Sequence, residues 1–340
     1  MLIAIVAVEG SLLSSITGLV DLFWITSQAL RRPPDAVPLP QPAGDGGASL
    51  PHFDTVILSA GGQDLRDPQG RRIAVDGALD EARSCDAALI AGMALGPDGL
   101  PPDSDSVRHA AEWFNQRQRE GLLIGAACAG TFVLGQAGVL DGRRCTTTWW
   151  LHQTFKQRFP KAHPVWGTAV EEQDGIITTG GPLSWIDLAL HVIKCLAGPE
   201  VAKLAADISV ADSVSLPQLI YAPRGFINAT DPLLLQAEQI VRHSNPGLSA
   251  TELAVALNLS ERTLHRRIKG ITDESPKEFI TRVRIETACV LLDVPGTSVK
   301  QVAQKCGYKD ESSFRRAFIQ LTGKTPAEYK RWSGARHPIS

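Results

Sequence analysis

Hydrophobic positions in the first two hundred residues form short continuous runs separated by longer amphipathic segments. The runs predict strands over Leu2 to Val8, Thr55 to Ala60, Ala87 to Ala91, Leu122 to Ala127 and Ile176 to Thr179. The segments between them predict helices over about Ser14 to Leu30, Ser106 to Arg119, Ala129 to Gln136, Trp149 to Phe159 and Pro182 to Leu196. This alternation is typical of a parallel sheet buried on both faces. We therefore predict an α/β domain with a doubly wound parallel sheet.

The pattern changes to helices alone near the C-terminus, beginning with a helix-turn-helix motif. Ser249 and Glu252 have the spacing of a capping box, in which each side chain satisfies a backbone N–H of the other residue. Asn258 suits a tight turn, because asparagine tolerates the left-handed backbone conformation. Ser260 then caps a second helix, which carries Leu264 and Ile268 on one face. This order predicts a first helix-turn-helix motif.

A second motif repeats the first after an intervening helix. Ser275 and Pro276 predict the start of the intervening helix, which ends before Pro295 and Gly296. A short helix from Val299, a turn at Gly307, a cap at Asp310 and an end at Gly323 follow. Small residues, Ala254 and Ala303, each stand four positions before the turn residue. Helices can cross closely at such positions, so the two motifs are expected to have the same architecture.

Burial of the apolar stripes predicts which side chains of the two second helices face outward. Leu264 and Ile268 fix one helix, and Phe314 and Phe318 fix the other. The outward side chains are predicted to contact guanine edges or phosphates in a major groove. They are Arg262, His265, Arg266, Lys269, Ser312, Arg315 and Arg316. A solvated basic surface is the alternative for any one of these clusters, but two such faces on matching motifs favour DNA binding.

Charge is distributed unevenly along the 340 residues. Residues 242 to 331 contain 16 Lys and Arg against 10 Asp and Glu, whereas the rest of the chain contains 18 against 26. A basic C-terminal region suits phosphate binding, and an acidic partner region suits a separate task. Residues from about 230 to 331 resemble the DNA-binding domain of AraC/XylS-type transcription regulators. The resemblance rests on the runs at 303 to 308, 312 to 318 and 322 to 329, and it implies that both recognition helices enter successive major-groove segments.

The most informative stretch of the first domain is the strand-to-helix turn at Cys128. Gly125, Ala126, Ala127 and Gly130 surround it with small residues, as a nucleophile elbow requires. We expect Cys128 at the carboxyl end of the sheet, where open α/β folds bind ligands. The adjoining helix N-terminus is expected to favour its thiolate. A buried structural thiol is the alternative, but the strand-turn-helix context favours a site residue.

Residues 125 to 149 resemble the PfpI-like, class I glutamine-amidotransferase-like domain, which implies a flavodoxin-like sheet. With the C-terminal domain, the whole chain resembles GlxA-type AraC regulators. Enzymes of this family pair the elbow cysteine with a histidine and an acidic residue. Here the resemblance puts Thr148 at the histidine position, Ala129 after the cysteine and Ser15 near the acidic position. Without a base, catalysis loses a factor of about 10² to 10⁴, so we expect no enzyme activity. We interpret His152 as a residue of a helix surface.

A pocket without catalytic machinery is therefore the predicted ligand site. Its expected walls are Ser15, Met93, Cys128, Ala129, Thr148 and Trp149. Six of the seven tryptophans precede the C-terminal domain, and the adjacent Trp149 and Trp150 lie near the elbow. Tryptophan faces bind quaternary ammonium groups, so an amino acid or a quaternary amine is the expected effector. Core packing is the alternative for most of these rings.

The six cysteines occur singly, without CxxC spacing, so neither a disulfide framework nor a metal site is predicted, and no cofactor is expected. We predict domains at 1–200 and 231–333, with a linker at 201–230 and a Pro/Gly-rich surface loop between Arg31 and Ser49. A reduced cytoplasm is the expected location, and no membrane contact is expected.

The predicted function is a metabolite-responsive transcription regulator, with activation favoured over repression. Its expected partners are promoter DNA, a small effector, a second copy through the first domain and RNA polymerase. Two alternatives stay open: a Cys128-dependent amidase, glyoxalase or deglycase fused to a DNA-binding module, and a redox switch through Cys128.

Overall fold

A computed structural model describes residues 1–31, 50–81, 84–213, 215–222, 231–243, 247–294 and 296–336. The chain forms two compact units, Met1–Gln218 and Leu219–Ser340. The predicted loop from Arg31 to Ser49 lies almost wholly outside the described residues, and so does Pro295. Each unit is taken by itself below.

The first unit is built on a seven-stranded sheet. Its strands, with the short ones outside the sheet, are β1 (Leu2–Val6), β2 (Asp54–Ser59), β3 (Leu65–Arg66), β4 (Arg72–Ile73), β5 (Gly77–Ala78), β6 (Ala87–Ile90), β7 (Leu123–Ala127), β8 (Arg144–Cys145), β9 (His163–Pro164), β10 (Val170–Gln173) and β11 (Ile176–Thr179). The sheet order is β10-β11-β7-β6-β1-β2-β5. All neighbouring pairs are parallel except the edge pair of β10 and β11. The doubly wound sheet predicted from the sequence is thus confirmed.

Helices cover both faces of this sheet. They are α1 (Leu13–Arg31), α2 (Asp105–Arg119), α3 (Thr131–Gln136), α4 (His152–Arg158), α5 (Trp185–Ala197) and α6 (Pro199–Ile208). One apolar cluster joins alternate strand residues to α2, α3 and α4, and another joins the remaining strand residues to α1, α5 and α6. Strands buried on both faces explain why the sequence shows continuous apolar runs.

Several elements of the first unit differ from the sequence expectations, among them β10 and α6. β10 was not predicted, because three of its four residues, Val170 to Gln173, are polar and it lies at the edge of the sheet. α6 lies in the segment assigned to the 201–230 linker, yet its Val201, Leu204 and Ala205 are buried against the first unit. Most of that helix therefore packs as part of the α/β unit.

The second unit consists of helices over its described residues. They are α7 (Pro232–His243), α8 (Ala250–Ala256), α9 (Glu261–Thr272), α10 (Pro276–Asp293), α11 (Val299–Lys305), α12 (Glu311–Thr322) and α13 (Pro326–Arg336). The predicted capping box at Ser249 and Glu252 is present, and Ser275 with Glu278 forms another. Asn258 and Gly307 have φ of 54° and 84°, as the two turns require.

The long helix α10 belongs to two small hydrophobic cores at once. Its Phe279 and Val283 pack with α7, α8 and α9, whereas its Ile285, Ala288 and Leu292 pack with α11, α12 and α13. Each core holds one helix-turn-helix motif. Because one continuous helix contributes to both cores, it sets the separation of the two motifs.

An ion-pair network at the middle of α10 adds to this arrangement. Arg282 is 1% exposed and donates to Glu274 at 2.8 Å and to Glu286 at 2.8 Å. Glu286 also accepts from Arg242, which pairs with Glu238 at 2.6 Å. Burial alone would lower the pKa of Arg282, but the two carboxylates beside it raise that pKa above its ordinary value. The network connects α7, α10 and the segment before α10.

Candidate DNA-binding surface and ligand site

The helices α9 and α12 occupy the same position in the two motifs and begin in the same way. The Ser260 hydroxyl accepts a hydrogen bond from the Thr263 N–H, and the Asp310 carboxylate accepts one from the Ser313 N–H. These caps satisfy N–H groups that otherwise lack a helical partner. The hydrogen bond from the Ser313 N–H lowers the pKa of Asp310, so this capping carboxylate stays ionised. Both caps are those expected from the sequence.

The structure places all seven predicted DNA-binding side chains on exposed helix surface. Leu264, Ile268, Phe314 and Phe318 are each 0% exposed, so they fix the rotation of α9 and α12. The exposed set consists of Arg262, His265, Arg266, Lys269, Ser312, Arg315 and Arg316. Two outward basic faces thus stand on equivalent helices of the two motifs.

Two residues change the details of the first basic face. Lys269 lies in the last turn of α9, where its ammonium donates to the Asp273 carbonyl at 2.7 Å and pairs with the Asp273 carboxylate at 3.0 Å. That engagement makes it less available for a phosphate than Arg266. Arg267 is exposed beside Arg266 and was not among the residues predicted from the sequence. The helical period of the exposed positions was the signal that could have found it.

At the end of β7, Cys128 has the backbone conformation of an elbow. Its φ is 54°, in the left-handed region that L residues rarely adopt, and a one-turn 3₁₀ helix from Cys128 to Gly130 leads into α3. A Cβ at Gly130 would lie 2.5 Å from the Ala91 carbonyl oxygen, so glycine is required for the close approach of β6. The predicted turn is confirmed in its geometry.

The expectation of a favoured thiolate at Cys128 is wrong. Burial raises the pKa of Cys128 to about 11, and the N–H groups of Ala129 and Gly181 offset only part of that rise. The Thr148 hydroxyl, which has no conventional hydrogen-bond partner among the described residues, also acts on the sulfur to lower its pKa. Within the described part of the chain, no charged neighbour contributes. Desolvation of the side chain therefore outweighs the helix N-terminus, and the thiol stays protonated at neutral pH.

The other predicted wall residues of the first unit meet around the same turn. Ser15 Oγ accepts a hydrogen bond from the Gly92 N–H at 3.0 Å. A Cβ added at Gly92 would lie 3.4 Å from Ser15 Oγ and 3.8 Å from the Cys128 Cβ, so these three residues are neighbours. Met93 packs in the same apolar cluster as Cys128 and Ala129. Ser15, Met93, Cys128, Ala129 and Thr148 are all buried.

A loop from Thr146 to Trp149 forms the remaining side of the site around Cys128. Hydrogen bonds to one residue distant in sequence, Gln218, fix this loop. Thr147 Oγ1 donates to the Cys128 carbonyl at 3.0 Å. The Gln218 carboxamide accepts from the Trp149 N–H at 2.9 Å and donates to the Thr147 carbonyl at 2.8 Å. Gln218 is 5% exposed and was not selected from the sequence, because it stands 69 residues from Trp149 in a segment without a motif.

The aromatic residues near the elbow are only partly gathered. Trp149 and Trp150 pack edge to face, with ring centroids 5.1 Å apart, and Trp149 is half-buried. His152 is 3% exposed and contacts the Trp166 ring at 5.3 Å, so its interpretation as a helix-surface residue is wrong. Trp113 packs on Phe114 instead, and Trp185 contacts Gly18. The adjacent pair at 149 and 150 is thus the aromatic surface beside the elbow.

Comparisons with known proteins identify both units. Residues 253–331 match the helix-turn-helix domain family, and residues 51–195 match the DJ-1/PfpI family. The transcriptional regulator CdhR of Pseudomonas aeruginosa is 28% identical over 277 residues, which cover 80% of each chain. The transcriptional regulator GlxA of Rhizobium meliloti is 26% identical over 292 residues, which cover 85% of this chain and 88% of GlxA. A crystal structure of an AraC family transcriptional regulator from Pseudomonas putida has a TM-score of 0.48, 17% identity and coverage of 61% of this chain and 98% of that chain.

A paired helix-turn-helix unit joined to an α/β unit defines the chain as a DNA-binding transcription regulator. It belongs to the AraC-type regulators that carry a DJ-1/PfpI domain, as the sequence resemblance to GlxA-type proteins predicted. The relatives that cover most of the chain are named as transcriptional regulators. Across the described ranges, no helix has the length and apolar character needed to cross a membrane.

Proposed function

We propose that this regulator binds promoter DNA through α9 and α12 and responds to a small metabolite bound beside Cys128. The observation that carries the DNA half is the pair of exposed basic faces on equivalent helices of two capped motifs. A single chain carries two such helices, α9 and α12, whose motifs both pack against α10. One copy of the chain therefore suffices for two adjacent major-groove contacts. Arg262, Arg266, Arg315 and Arg316 are proposed to contact bases or phosphates, supported by His265, Lys269 and Ser312.

The buried hydroxyl of Thr148 supports the effector half of the proposal. Thr148 is fully buried, and its Oγ1 makes no conventional hydrogen bond among the described residues, although it acts on the Cys128 sulfur. A buried hydroxyl that makes no conventional hydrogen bond costs up to about 1–3 kcal/mol, so a ligand group that bonds to it recovers part of that cost. Ser15, Met93, Cys128, Ala129 and Trp149 are proposed to form the remaining walls. Because most of these residues are buried, ligand entry requires the Thr146 to Trp149 loop to move.

We propose a cationic amine as the chemical class of the effector. The rings of the half-buried Trp149 and the exposed Trp150 meet at 86° beside the loop, and a tryptophan face attracts a cation by about 0.5–2 kcal/mol. An amino acid can also donate its ammonium protons to Thr148 Oγ1, whereas a quaternary amine has no proton to donate. Binding measurements with free amino acids, betaines and neutral amides of matched size distinguish an amino acid effector from a quaternary amine. Equal binding of the neutral amides would contradict the cationic class.

We propose that Cys128 forms part of the pocket wall and does not catalyse. The raised pKa of its thiol, caused by burial, disfavours both a nucleophile and an oxidation switch. The φ of 54° at Cys128 is the observation that favours the enzymatic alternative, because nucleophile elbows share this strained turn. Assays with amide, glyoxal and glycated-amine substrates decide between them. Turnover that disappears in Cys128→Ala would support the enzyme.

Gln218 supports a route from the effector to the DNA-binding unit. It is the last residue of the first unit, and its carboxamide bonds the loop that must move when a ligand enters. A ligand that displaces Trp149 therefore also breaks the hydrogen bonds of Gln218, the residue from which the chain continues to the second unit. The ligand must bind the state with these hydrogen bonds and the state without them with different affinity, since equal affinity shifts no equilibrium.

The function is tested with the full chain. Bound duplexes are first selected from a random pool, and affinity for the selected duplex is then measured by fluorescence anisotropy with and without each amine. We expect nanomolar-range specific binding at physiological salt, roughly 10³-fold or more tighter than binding to a scrambled duplex. Thermal-shift screening of the same amines reports effector binding. Absence of any preferred duplex would contradict the proposed DNA binding, and absence of any effect of the amines would contradict their proposed role.

We also propose that the protein forms a homodimer through the first unit, which sedimentation tests. A reporter gene distinguishes activation from repression.

A further inference from the structure

A cluster of three metal-ligand types lies on the first unit, on the edge strand β10 and the helix α5. Glu172, His191 and Cys195 each place one ligand atom so that the atoms lie within 4.8 Å of one another. The Glu172 Oε2 and His191 Nε2 atoms are 2.5 Å apart. None of the three belongs to the ligand site beside Cys128 or to the DNA-binding surface.

The fold accounts for this meeting of residues that are distant in sequence. His191 and Cys195 stand four positions apart on α5, so their side chains lie on the same face of that helix. Glu172 pairs with Ile177 across the β10–β11 ladder, and Ile177 packs in the apolar cluster that contains α5. Glu172 therefore points to the side of the sheet that α5 covers. An i, i+4 pair on a helix with a third donor on a neighbouring strand surrounds a small ion from two elements.

The donor set selects a class of ion. Imidazole nitrogen, thiolate sulfur and carboxylate oxygen together suit zinc and similar transition metals, whereas calcium and magnesium prefer oxygen ligands alone. Three protein ligands leave a fourth tetrahedral position for water. The His191 side chain is 19% exposed and that of Glu172 is 41% exposed, so an ion can reach them from solvent.

The present contacts are those that a metal would replace. The Cys195 thiol interacts with the Glu172 carboxylate, and burial together with this carboxylate raises the pKa of Cys195. The ammonium of Lys194 acts in the opposite direction. When Sγ bonds a divalent ion, the thiol proton leaves to solvent, and the Glu172 carboxylate binds the ion in place of the thiol. His191 also lines a cavity of about 310 Å³ with Leu190 and Ala202, which leaves room for solvent beside the helix.

We propose that Glu172 Oε2, His191 Nε2 and Cys195 Sγ bind one divalent transition-metal ion of the zinc class. The ion connects the edge strand β10 to α5 on the α/β unit. No sequence motif indicates this site, because the ligands are single residues separated by 19 and 4 positions, without a repeated cysteine motif. A bound ion would restrain α5 relative to β10, because its ligands come from both elements.

The test uses the full chain, freed of metal with a chelator and kept reduced, and titrated with Co²⁺ and Zn²⁺. Tetrahedral Co²⁺ bound to a thiolate gives a sulfur-to-cobalt charge-transfer absorption, which reports Cys195 directly. We expect this absorption at one ion per chain, and we expect zinc to displace it. Zinc is also expected to raise the Tm of the first unit.

Matched variants distinguish this site from unspecific binding. Cys195→Ser, His191→Gln and Glu172→Gln are compared with Cys85→Ser and His163→Gln, which remove a cysteine and a histidine elsewhere in the same unit. Loss of a ligand should weaken zinc binding by more than about 100-fold, since loss of a group that merely supports a ligand costs about 10- to 100-fold. Cys195→Ser should also abolish the cobalt–sulfur absorption, with the controls unchanged. The proposal would be overturned if the wild-type chain gave no cobalt–sulfur absorption. It would also be overturned if the three ligand variants bound zinc as tightly as the wild-type chain does.

Discussion

The backbone N–H of Trp149 donates a hydrogen bond to the side-chain oxygen of Gln218, with a donor–acceptor distance of 2.9 Å. The side-chain Nε2 of Gln218 donates in turn to the backbone carbonyls of Thr147 and Thr168, both at 2.8 Å. One carboxamide thus satisfies two backbone groups of the loop beside Cys128 and a third, the Thr168 carbonyl, in the segment before β10. The next residue, Leu219, begins the second unit, so this carboxamide stands where the chain leaves the α/β unit.

Removing this carboxamide should uncouple the effector from DNA binding. In Gln218→Ala, the Trp149 N–H and the Thr147 carbonyl lose the carboxamide that bonds to them, so the loop is expected to open without a ligand, at a cost on the order of 1–3 kcal/mol in the stability of the first unit. Promoter affinity, measured by anisotropy, should then become the same with and without the amine. Gln116→Ala removes an exposed glutamine from α2 and should keep the normal response. A full effector response in Gln218→Ala would contradict the proposed route.

Gly180→Ala tests the same contact without changing Gln218. A Cβ at Gly180 would lie 1.8 Å from the Gln218 Nε2 atom, so the carboxamide must leave its position. We expect this variant to reproduce the uncoupled promoter affinity of Gln218→Ala. Combining the two substitutions should add little, because both remove one interaction. Effects on effector response that add fully would indicate that Gly180 acts by another route, and the double-mutant cycle measures this directly.

Single arginines on the two recognition helices should control promoter recognition. Arg266→Ala and Arg316→Ala are each expected to weaken binding to the selected duplex, and a guanine contact would cost about 1–3 kcal/mol of discrimination at one base pair. Lys161→Ala removes the same charge from an exposed position of the first unit and serves as the control. Competition against single-base variants of the duplex locates the contacts. Unchanged affinity and unchanged base preference in both variants would show that another face of these helices meets DNA.

The buried thiol of Cys128 should be unreactive at neutral pH. Its pKa of about 11 lies above the ordinary value of 9.0, so at pH 8 its thiolate fraction is about 100-fold lower than in an unfolded chain. Alkylation of Cys128, followed by peptide mass spectrometry, should be slow and should accelerate toward pH 11. The raised pKa stabilises the fold below about pH 9, and this contribution is lost as pH rises from about 9 to about 11. Cys128→Ala should lack that part of the pH dependence, whereas rapid alkylation at pH 7 would contradict the buried thiol.

The ion-pair network of α10 should matter for the stability of the second unit. Arg282→Ala leaves Glu274 and Glu286 without their buried partner, and such a loss typically costs about 3–5 kcal/mol. Denaturant unfolding of the full chain, followed by helix content, measures this loss. Arg282→Met, combined with Glu274→Gln and Glu286→Gln, removes the charges together and should cost less. If Arg282→Ala were as stable as the wild-type chain, the network would contribute nothing to the fold.

Local patterns in the sequence were sufficient where the physical cause is local. Strands β1, β2, β6, β7 and β11 follow from apolar runs, because each packs apolar side chains on both faces of the sheet. The helix caps follow from Ser, Thr and Asp at fixed spacing, since the hydrogen bonds they make span three residues. The outward set on α9 and α12 follows from a helical period fixed by two buried residues per helix. The elbow at Cys128 follows from the small residues that a close approach requires.

Tertiary structure alone decided the features that depend on residues far apart in the chain. The pKa of Cys128 could not be predicted, because desolvation depends on every element packed around it. The roles of Gln218 and Arg282 depend on partners brought together by the fold, as does the cluster of Glu172, His191 and Cys195. Sequence determined what each segment is able to form, because backbone hydrogen bonds and apolar periodicity act over a few residues. The three-dimensional arrangement decided which polar groups meet, since burial and electrostatic interaction depend on distance in space.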